Sequence, residues 1–171
     1  MVIYMYYINT FLIYSILGYG LETVVAFFTK SHFQSGILYG PWTPVYGVGA
    51  VMIVLLSNYL FYNLHMPRIY ETLFAFVIIT IMLTAIEWLG GIAIEHFFHK
   101  VFWDYSSHPF HIGKYISLTM SLTWGIGSIF FIYVIKPFLD PLVKQIPLTI
   151  TIIVMFVFLL DYGLTFYHNI K

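Results

Sequence analysis

The chain has no cysteine and little charge, and each shortage excludes a class of function. Without cysteine, disulfides and thiolate chemistry are ruled out. Only 8% of the residues are charged, whereas a soluble domain has about 25%. The formal net charge is zero, so the chain has no basic field for a nucleic acid. A Gly-x-x-x-x-Gly-Lys-Ser/Thr phosphate loop is also missing, so any ATPase would have to be a separate chain.

Apolar residues make up most of the chain instead: 61% are hydrophobic, 21% are aromatic, and the mean hydropathy is +0.90. This composition predicts an all-α integral membrane protein, a polytopic helical bundle, because a backbone in lipid must satisfy its own hydrogen bonds. A closed barrel is disfavoured because no two-residue alternation of apolar and polar residues is sustained. The stretch from Met1 to Thr10 contains no Lys or Arg, so we interpret it as the start of a retained span rather than a signal peptide.

Five apolar stretches are long enough to cross a bilayer, and we predict a single transmembrane domain over residues 1–171. The spans are expected at about 3–28, 45–62, 70–97, 116–137 and 146–167. Loops 29–44 and 98–115 and the C-terminus then share one side of the membrane, called face A, and the other loops lie on face B. The basic residues divide four to three between faces A and B, which only slightly favours a cytoplasmic face A.

The most informative residue is Glu87, the only ionised residue in the run from Thr72 to Ile94. A carboxylate at such a depth costs at least about 2–3 kcal/mol, so it persists only where it faces a cavity, a partner or a ligand. Glu22 and Asp161 lie near the face-A ends of the first and last spans. The acids at membrane depth therefore converge on one half of the bilayer, which predicts a polar pocket open to face A.

Polar and small residues follow one side of the third and fourth spans. The stripe on the third span consists of Thr80, Thr84, Glu87, Gly91 and Glu95, which fall within about 80° on a helical wheel. The stripe on the fourth span consists of Ser117, Ser121, Trp124 and Ser128. Small and hydroxyl residues also pack transmembrane helices, and we favour that explanation for Ser and Thr. For Glu87 we favour a functional role, because an acid is a poor residue for helix packing.

Both loops on face A have unusual sequences. The segment from Gly36 to Gly47 contains three glycines and two prolines among aromatics, including Tyr39, and we expect a re-entrant or capping loop. A turn within an interfacial aromatic belt is the alternative. In the second loop, Asp104 and Tyr105 precede two serines; Asp104 either caps a turn through their amides or approaches a cation or ligand. Together the two loops are expected to form a lid over the acidic half-cavity.

Histidines crowd the second loop, at positions 96, 99, 108 and 111. Each pair has His-x-x-His spacing, so a zinc site is conceivable. The arrangement matches no established zinc signature, and histidines are common at membrane interfaces. We therefore predict no metal site and no cofactor.

With these loops, the sequence resembles the bacterial Putative ABC-transporter type IV family, whose members are commonly labelled putative ABC transporter permeases. The matching blocks are Phe11-Leu12-Ile13-Tyr14-Ser15-x-Leu17-Gly18 with Glu22, Gly36-x-Leu38-Tyr39-Gly40-Pro41-x-x-Pro44-x-Tyr46-Gly47-x-Gly49-Ala50, Glu87 with Glu95, Trp103-Asp104-Tyr105-Ser106 with Pro109-Phe110, and Ser121-Leu122 with Trp124-Gly125. The resemblance extends over residues 11–137. It implies a multi-pass protein of the bacterial plasma membrane, a role in transport, and a separate ATPase subunit as a partner.

One departure from the family pattern follows Pro109-Phe110. The family tends to continue with an Asn/Gly/Arg group, whereas this chain has His111-Ile112-Gly113-Lys114-Tyr115. If that arginine binds an anion in the relatives, Lys114 is not an equivalent replacement, because lysine cannot bind an anion in the bidentate manner of arginine.

The sequence thus predicts a membrane component of a transporter, and not an enzyme, with an acidic pocket centred on Glu87. The candidate solute-binding residues are Glu22, Tyr39, Glu87, Asp104, Tyr105, Ser121, Trp124 and Asp161. Two alternatives stay open: a non-catalytic partner or scaffold subunit whose acids pair with bases of another chain, and an embedded enzyme acting on a lipid head group. Loops 63–69 and 138–145 show no coupling helix, which counts against docking of an ATPase. Assembly into homo- or hetero-oligomers is also left open.

Overall fold

The computed structural model of the protein describes residues 2–29, 38–63 and 66–169. Its helices are α1 (Val2–Thr29), α2 (Pro44–Asn63), α3 (Arg68–Phe98), α4 (Leu118–Phe130), α5 (Lys136–Gln145) and α6 (Leu148–Asn169), with a π-helical turn (Phe131–Ile135) between α4 and α5. Two short antiparallel strands, β1 (His111–Ile112) and β2 (Ile116–Ser117), precede α4.

Within the described residues, five helical stretches are long and apolar enough to cross a membrane: Tyr4–Phe28, Pro44–Phe61, Arg68–Phe98, Leu118–Gln145 and Leu148–Asn169. This confirms the predicted all-α polytopic membrane fold. Proline marks the start of two of these helices. Pro44 is the first residue of α2 and Pro67 is the N-cap of α3. The fixed φ and missing N–H of proline suit the start of a helix.

The fourth span differs from the prediction. The sequence indicated a helix ending at Pro137 and a loop over 138–145, but the helix continues through the π-helical turn and α5 to Gln145. The loop prediction is wrong because the prolines of this segment do not end the helix. Pro141 lies inside α5; membrane helices tolerate proline when local π adjustments and neighbouring groups satisfy the freed backbone.

The chain forms two compact units, of which the first consists of Met1–Val51 and Pro141–Lys171. Its apolar core contains Leu12, Leu38, Trp42 and Phe158. The rings of Trp42 and Phe158 meet edge to face with centroids 5.6 Å apart. The start of α2 approaches α1 closely at Gly47, where a Cβ atom would collide with the hydroxyl of Ser15. Small residues at such contacts bring membrane helices together.

A buried amide side chain joins three helices of the first unit. Asn9 of α1 is only 3% exposed, and its Nδ2 donates to the carbonyl of Val143 at 3.3 Å. Its Oδ1 accepts a hydrogen bond from the hydroxyl of Thr151, in the first turn of α6, at 2.6 Å. Val143 lies in the last turn of α5, whose carbonyls have no partners within their own helix. Asn9 therefore fixes the junction between α5 and α6.

The second unit, Met52–Asp140, is built mainly on the packing of α3 against α4. The buried residues of α3 recur every fourth position: Glu71, Ala75, Ile79, Leu83, Glu87 and Gly91. This ridge carries Glu87 and Gly91 of the predicted stripe, whereas Thr80 and Thr84 flank it and are half-buried. Where the two helices meet, a Cβ atom on Gly125 would collide with Thr80. Ridges of this spacing are a common basis of helix packing.

We expect the substitution Asn9→Ala to lower the free energy of unfolding by about 1–3 kcal/mol, because it removes the donor to the buried carbonyl of Val143 and the acceptor of Thr151. Thermal unfolding in detergent micelles measures the effect. Asn58→Ala, at an exposed position of α2, is the matched control and should change stability by less than about 0.5 kcal/mol. Equal stability of the two variants would contradict the role assigned to Asn9.

Candidate functional site

The segment of residues 99–117 folds back over one end of α3. Helix α3 ends at His99, which adopts a left-handed conformation with φ 54° and donates its N–H to the carbonyl of Glu95. Further on, Asp104 Oδ1 accepts hydrogen bonds from the backbone N–H of Ser106, at 2.8 Å, and from its hydroxyl. Asp104 thus adopts the first of its two predicted roles, capping a turn. The hydrogen bonds from Ser106, that of the hydroxyl first, hold the pKa of Asp104 below its usual value.

A short hairpin within this segment lies against α3. Strands β1 and β2 are joined by a turn in which Gly113 has φ +61°, a conformation that favours glycine. The N–H of Tyr105 donates to the carbonyl of Lys114 at 2.7 Å, which ties the earlier part of the segment to the hairpin. Residues 103–117 are called the hairpin segment below.

Two residues of the hairpin segment contact Glu95 of α3. Lys114 forms an ion pair with its carboxylate, and the hydroxyl of Tyr115 donates to Oε2 at 2.7 Å. Both members of the ion pair are partly exposed, so solvent screens their attraction and the pair contributes little. The Tyr115 ring is 5% exposed and packs on Gly91, one turn before Glu95. Packing of the Tyr115 ring on Gly91 therefore contributes most to holding the hairpin segment on α3.

Glu87 lies beneath the hairpin segment, two turns from Glu95. It is 6% exposed, and its Oε1 accepts a hydrogen bond from the hydroxyl of Tyr105 at 2.9 Å. Trp124 of α4 is a second donor to the same carboxyl group. Within the described part of the chain, Oε2 has no close hydrogen-bond partner, and neither has the buried hydroxyl of Thr84 one turn earlier.

Glu87 also differs in its charge environment from Glu71, Glu95 and Asp140, three other acids of the second unit. The ion pairs among the described residues join Arg68 to Glu71, Lys114 to Glu95, and Lys136 to Asp140. Among the same residues, no basic side chain lies within ion-pair distance of Glu87. A buried carboxylate oxygen without a partner can accept a proton, a cation or a hydrogen-bond donor. Such unsatisfied groups are rare in folded proteins and call for a specific explanation.

In the first unit, by contrast, the carboxylate of Asp161 is fully engaged. Its Oδ1 accepts from the backbone N–H of Tyr39 at 3.0 Å, and Oδ2 from that of Gly40 at 2.8 Å. The hydroxyl of Thr165 also donates to Oδ1, at 3.2 Å. A Cβ atom at Gly40 would collide with the Trp42 ring, so glycine is required there. Asp161 therefore anchors the described part of the Gly-Pro-rich loop; residues 36–37 of that loop lie outside the described residues.

The structure brings some of the predicted site residues together within each unit. Glu87, Tyr105 and Trp124 form one cluster in the second unit, and Ser121 is half-buried three residues before Trp124. In the first unit, Asp161 binds the backbone at Tyr39, and Glu22 accepts a hydrogen bond from the hydroxyl of Tyr46. That these two groups share one pocket under a common lid stays a prediction.

Sequence reasoning missed Tyr115, Lys114 and Tyr46 as partners of the acids. The first two reach Glu95 only through the register of the hairpin, which no periodic pattern indicated. Gly91 was the available signal, because a small residue next to a polar stripe predicts a large side chain packed on it. The histidines do not assemble into a metal site: in the described residues, no three His, Asp or Glu side chains are placed to hold a metal ion.

Comparison with known proteins gives one match. The model of the family described as Putative ABC-transporter type IV matches residues 9–168 and so covers nearly the whole chain, including both groups of site residues. No curated protein and no solved structure matches the chain.

Gly91 and Gly90 offer a matched test of the hairpin contact. A Cβ atom at Gly91 would lie 2.6 Å from the Tyr115 ring, whereas one at Gly90 would meet nothing within 4 Å. Gly91→Ala should therefore displace the hairpin segment and lower the free energy of unfolding by about 1–3 kcal/mol. Gly90→Ala should be neutral or stabilise by up to about 1 kcal/mol. Thermal unfolding and limited proteolysis of residues 103–117 measure both; equal protease sensitivity of the two variants would refute the contact.

The contact between Tyr115 and Glu95 predicts that the stability of the protein depends on pH in the alkaline range. Burial, and then the hydrogen bond to Glu95, raise the pKa of Tyr115 from 10.0 to about 12. The raised pKa means that Tyr115 stabilises the fold fully below pH 10 and that this contribution is lost as the pH rises towards 12. Tyr115→Phe should lower the unfolding midpoint at neutral pH and reduce its decline over that window. An identical decline in both proteins would disprove the assignment.

Proposed function

The chain belongs to the Putative ABC-transporter type IV family, and from that premise we propose that it is the membrane-spanning permease component of a transporter in the bacterial plasma membrane. We assign its solute site to Glu87. One observation carries this assignment: a carboxylate that is 6% exposed, on a helix apolar enough to cross the membrane, has an oxygen without a close partner among the described residues.

The contrast with Asp161 supports a binding role over a packing role. An acid kept for structure is expected to use both carboxylate oxygens, as Asp161 does with two backbone N–H groups. Glu87 uses Oε1 alone in a close hydrogen bond. Leaving a buried acceptor unsatisfied costs about 1–3 kcal/mol, more when it is charged. A solute that donates to Oε2 offsets this cost when it binds.

The groups around Oε2 define the chemistry of such a solute. A carboxylate accepts hydrogen bonds, so the solute supplies either a positive charge or a polar N–H or O–H group. The hydroxyl of Thr84 can act as donor or acceptor beside it. Tyr105 and Trp124 add aromatic faces, which attract cations. A cationic or polar solute fits these groups, and the Tyr105 hydrogen bond has to open to admit it.

A scaffold subunit is the weaker candidate. Acids that pair with bases of another chain would face outward, but Glu87 is covered by Tyr105 of its own chain. A missing helix at residues 138–145 would count against docking of an ATPase, but the structure has a helix there. Residues 138–145 belong to helix α5, whose positions Lys136, Asp140 and Lys144 recur every fourth residue and so lie along one side. We propose that a separate ATPase subunit drives transport.

We expect Glu87→Gln to weaken solute binding by roughly 10- to 100-fold, because a hydrogen bond to a charged group is worth about 1.5–3 kcal/mol. The measurement is thermal stabilisation of the purified protein by a panel of amines, amino acids, sugars and organic anions. Glu71→Gln is the matched control. It also removes a buried acid from α3, but one already paired with Arg68, and it should leave binding unchanged.

Purification from native membranes, followed by mass spectrometry, tests the partner. A stoichiometric ATPase supports the transporter assignment, and its absence from preparations that retain bound solute refutes the ATPase-driven form. If Glu87→Gln binds the same solute with unchanged affinity, the site lies elsewhere. If no solute in the panel stabilises the wild-type protein, the binding role of Glu87 is refuted as well.

A further inference from the structure

A groove of about 530 Å³ lies in the second unit, between the first turns of α3 and the later part of α4 with the π-helical turn. Its volume is in the range of about 300–1,000 Å³ typical of ligand sites. Phe76, Ile129 and Val134 are among its apolar walls. The hydroxyls of Thr72 and Tyr133 also line it, but they are hydrogen-bonded to each other at 2.6 Å. The groove thus suits a purely apolar occupant.

The π-helical turn shapes one wall of this groove. Here the N–H of Lys136 donates to the carbonyl of Phe131, five residues earlier, instead of the usual four. Tyr133 and Val134 lie on this turn and line the groove. Single π-helical turns occur frequently at functional sites. This backbone feature points to the same place as the cavity does.

An exposed arginine stands at one end of the groove. Arg68 lies one helical turn before Thr72, and its guanidinium is 5.4 Å from the centre of the Phe61 ring, which in turn contacts the Tyr133 ring. The Arg68 side chain is 69% exposed, and among the described residues it makes one ion pair, a long one with Glu71 at 3.5 Å. A guanidinium has five N–H donors, so most remain available to an anion such as a phosphate.

We propose that this groove binds one phospholipid of the adjacent leaflet, with an acyl chain along Phe76 and Val134 and the phosphate on Arg68. The groove opens on helices that cross the membrane, where acyl chains are the apolar groups present. The exposed guanidinium beside it matches the charge of the phosphate. Phe76 is eleven residues from Glu87, about 17 Å along α3, so this lipid site is distinct from the proposed solute site.

Photolabelling tests the proposal on the full-length protein. The protein is delipidated in a phosphate-free maltoside detergent and exposed to phosphatidylglycerol carrying a diazirine on one acyl chain. Peptide mass spectrometry then locates the label, which we expect within residues 72–76 and 126–134. A diacylglycerol probe with the same diazirine chain lacks only the phosphate head group. It should label these residues roughly tenfold less at equal concentration, as expected if the phosphate contact is worth about 1.4 kcal/mol.

Two variants test the phosphate contact and the acyl-chain groove separately. Arg68→Gln should lower labelling by phosphatidylglycerol to the level of the diacylglycerol probe. Val134→Trp should fill the groove and abolish labelling by both probes. Leu122→Trp is the matched control for Val134→Trp, because Leu122 is also an exposed residue of the fourth span but does not line the groove; it should leave labelling unchanged.

Several results would overturn the proposal. Label spread evenly over the exposed faces of all helices would mean that the groove has no preference for an acyl chain. Equal labelling by the two probes, or no effect of Arg68→Gln, would refute the phosphate contact. If Val134→Trp fails to fold, as judged by gel filtration and thermal unfolding, the comparison of probes and Arg68→Gln still decides the question.

Discussion

A lipid bilayer offers no partner to a polar group, so each polar group at membrane depth needs a partner inside the protein. This constraint explains the main features of the described structure. Asn9 satisfies a carbonyl that the end of α5 leaves open, and Asp161 satisfies two N–H groups of a Gly-Pro-rich loop. The π-helical turn meets the same demand within the backbone ahead of Pro137 and Pro141. Glu87 stands out because, among the described residues, its Oε2 is the buried carboxylate oxygen that lacks a hydrogen-bond partner.

Asp161 and Glu87, two acids at membrane depth, have contrasting hydrogen-bond environments. Asp161 binds main-chain groups, and its environment is complete without a ligand. Glu87 accepts a hydrogen bond from the phenol of Tyr105, and its Oε2 has no close partner among the described residues. Sequence position alone gave both the same description, an acid at membrane depth. The hydrogen bonds of the folded chain, which sequence position does not reveal, are what distinguish the two acids.

Hydropathy was sufficient to predict five membrane-spanning helices, because length and apolar composition decide that property. Glu87, Tyr105 and Trp124 were each predicted as site residues, and the structure brings these three together. The hydrogen bond between Glu87 and Tyr105 depends on how the hairpin segment folds back, and periodicity carries no information about that. The loop predicted at 138–145 failed for a related reason: whether proline ends a helix depends on which neighbouring groups replace its lost hydrogen bond.

The hairpin segment touches α3 at two levels, through Tyr105 at Glu87 and through Tyr115 at Glu95. Because a main-chain hydrogen bond ties Tyr105 to Lys114, the two attachments cannot separate independently. We therefore expect exposure of Glu87 to involve both contacts. The rate at which anything exchanges at that carboxylate would then depend on Gly91, one turn away, and on Glu95, two turns away.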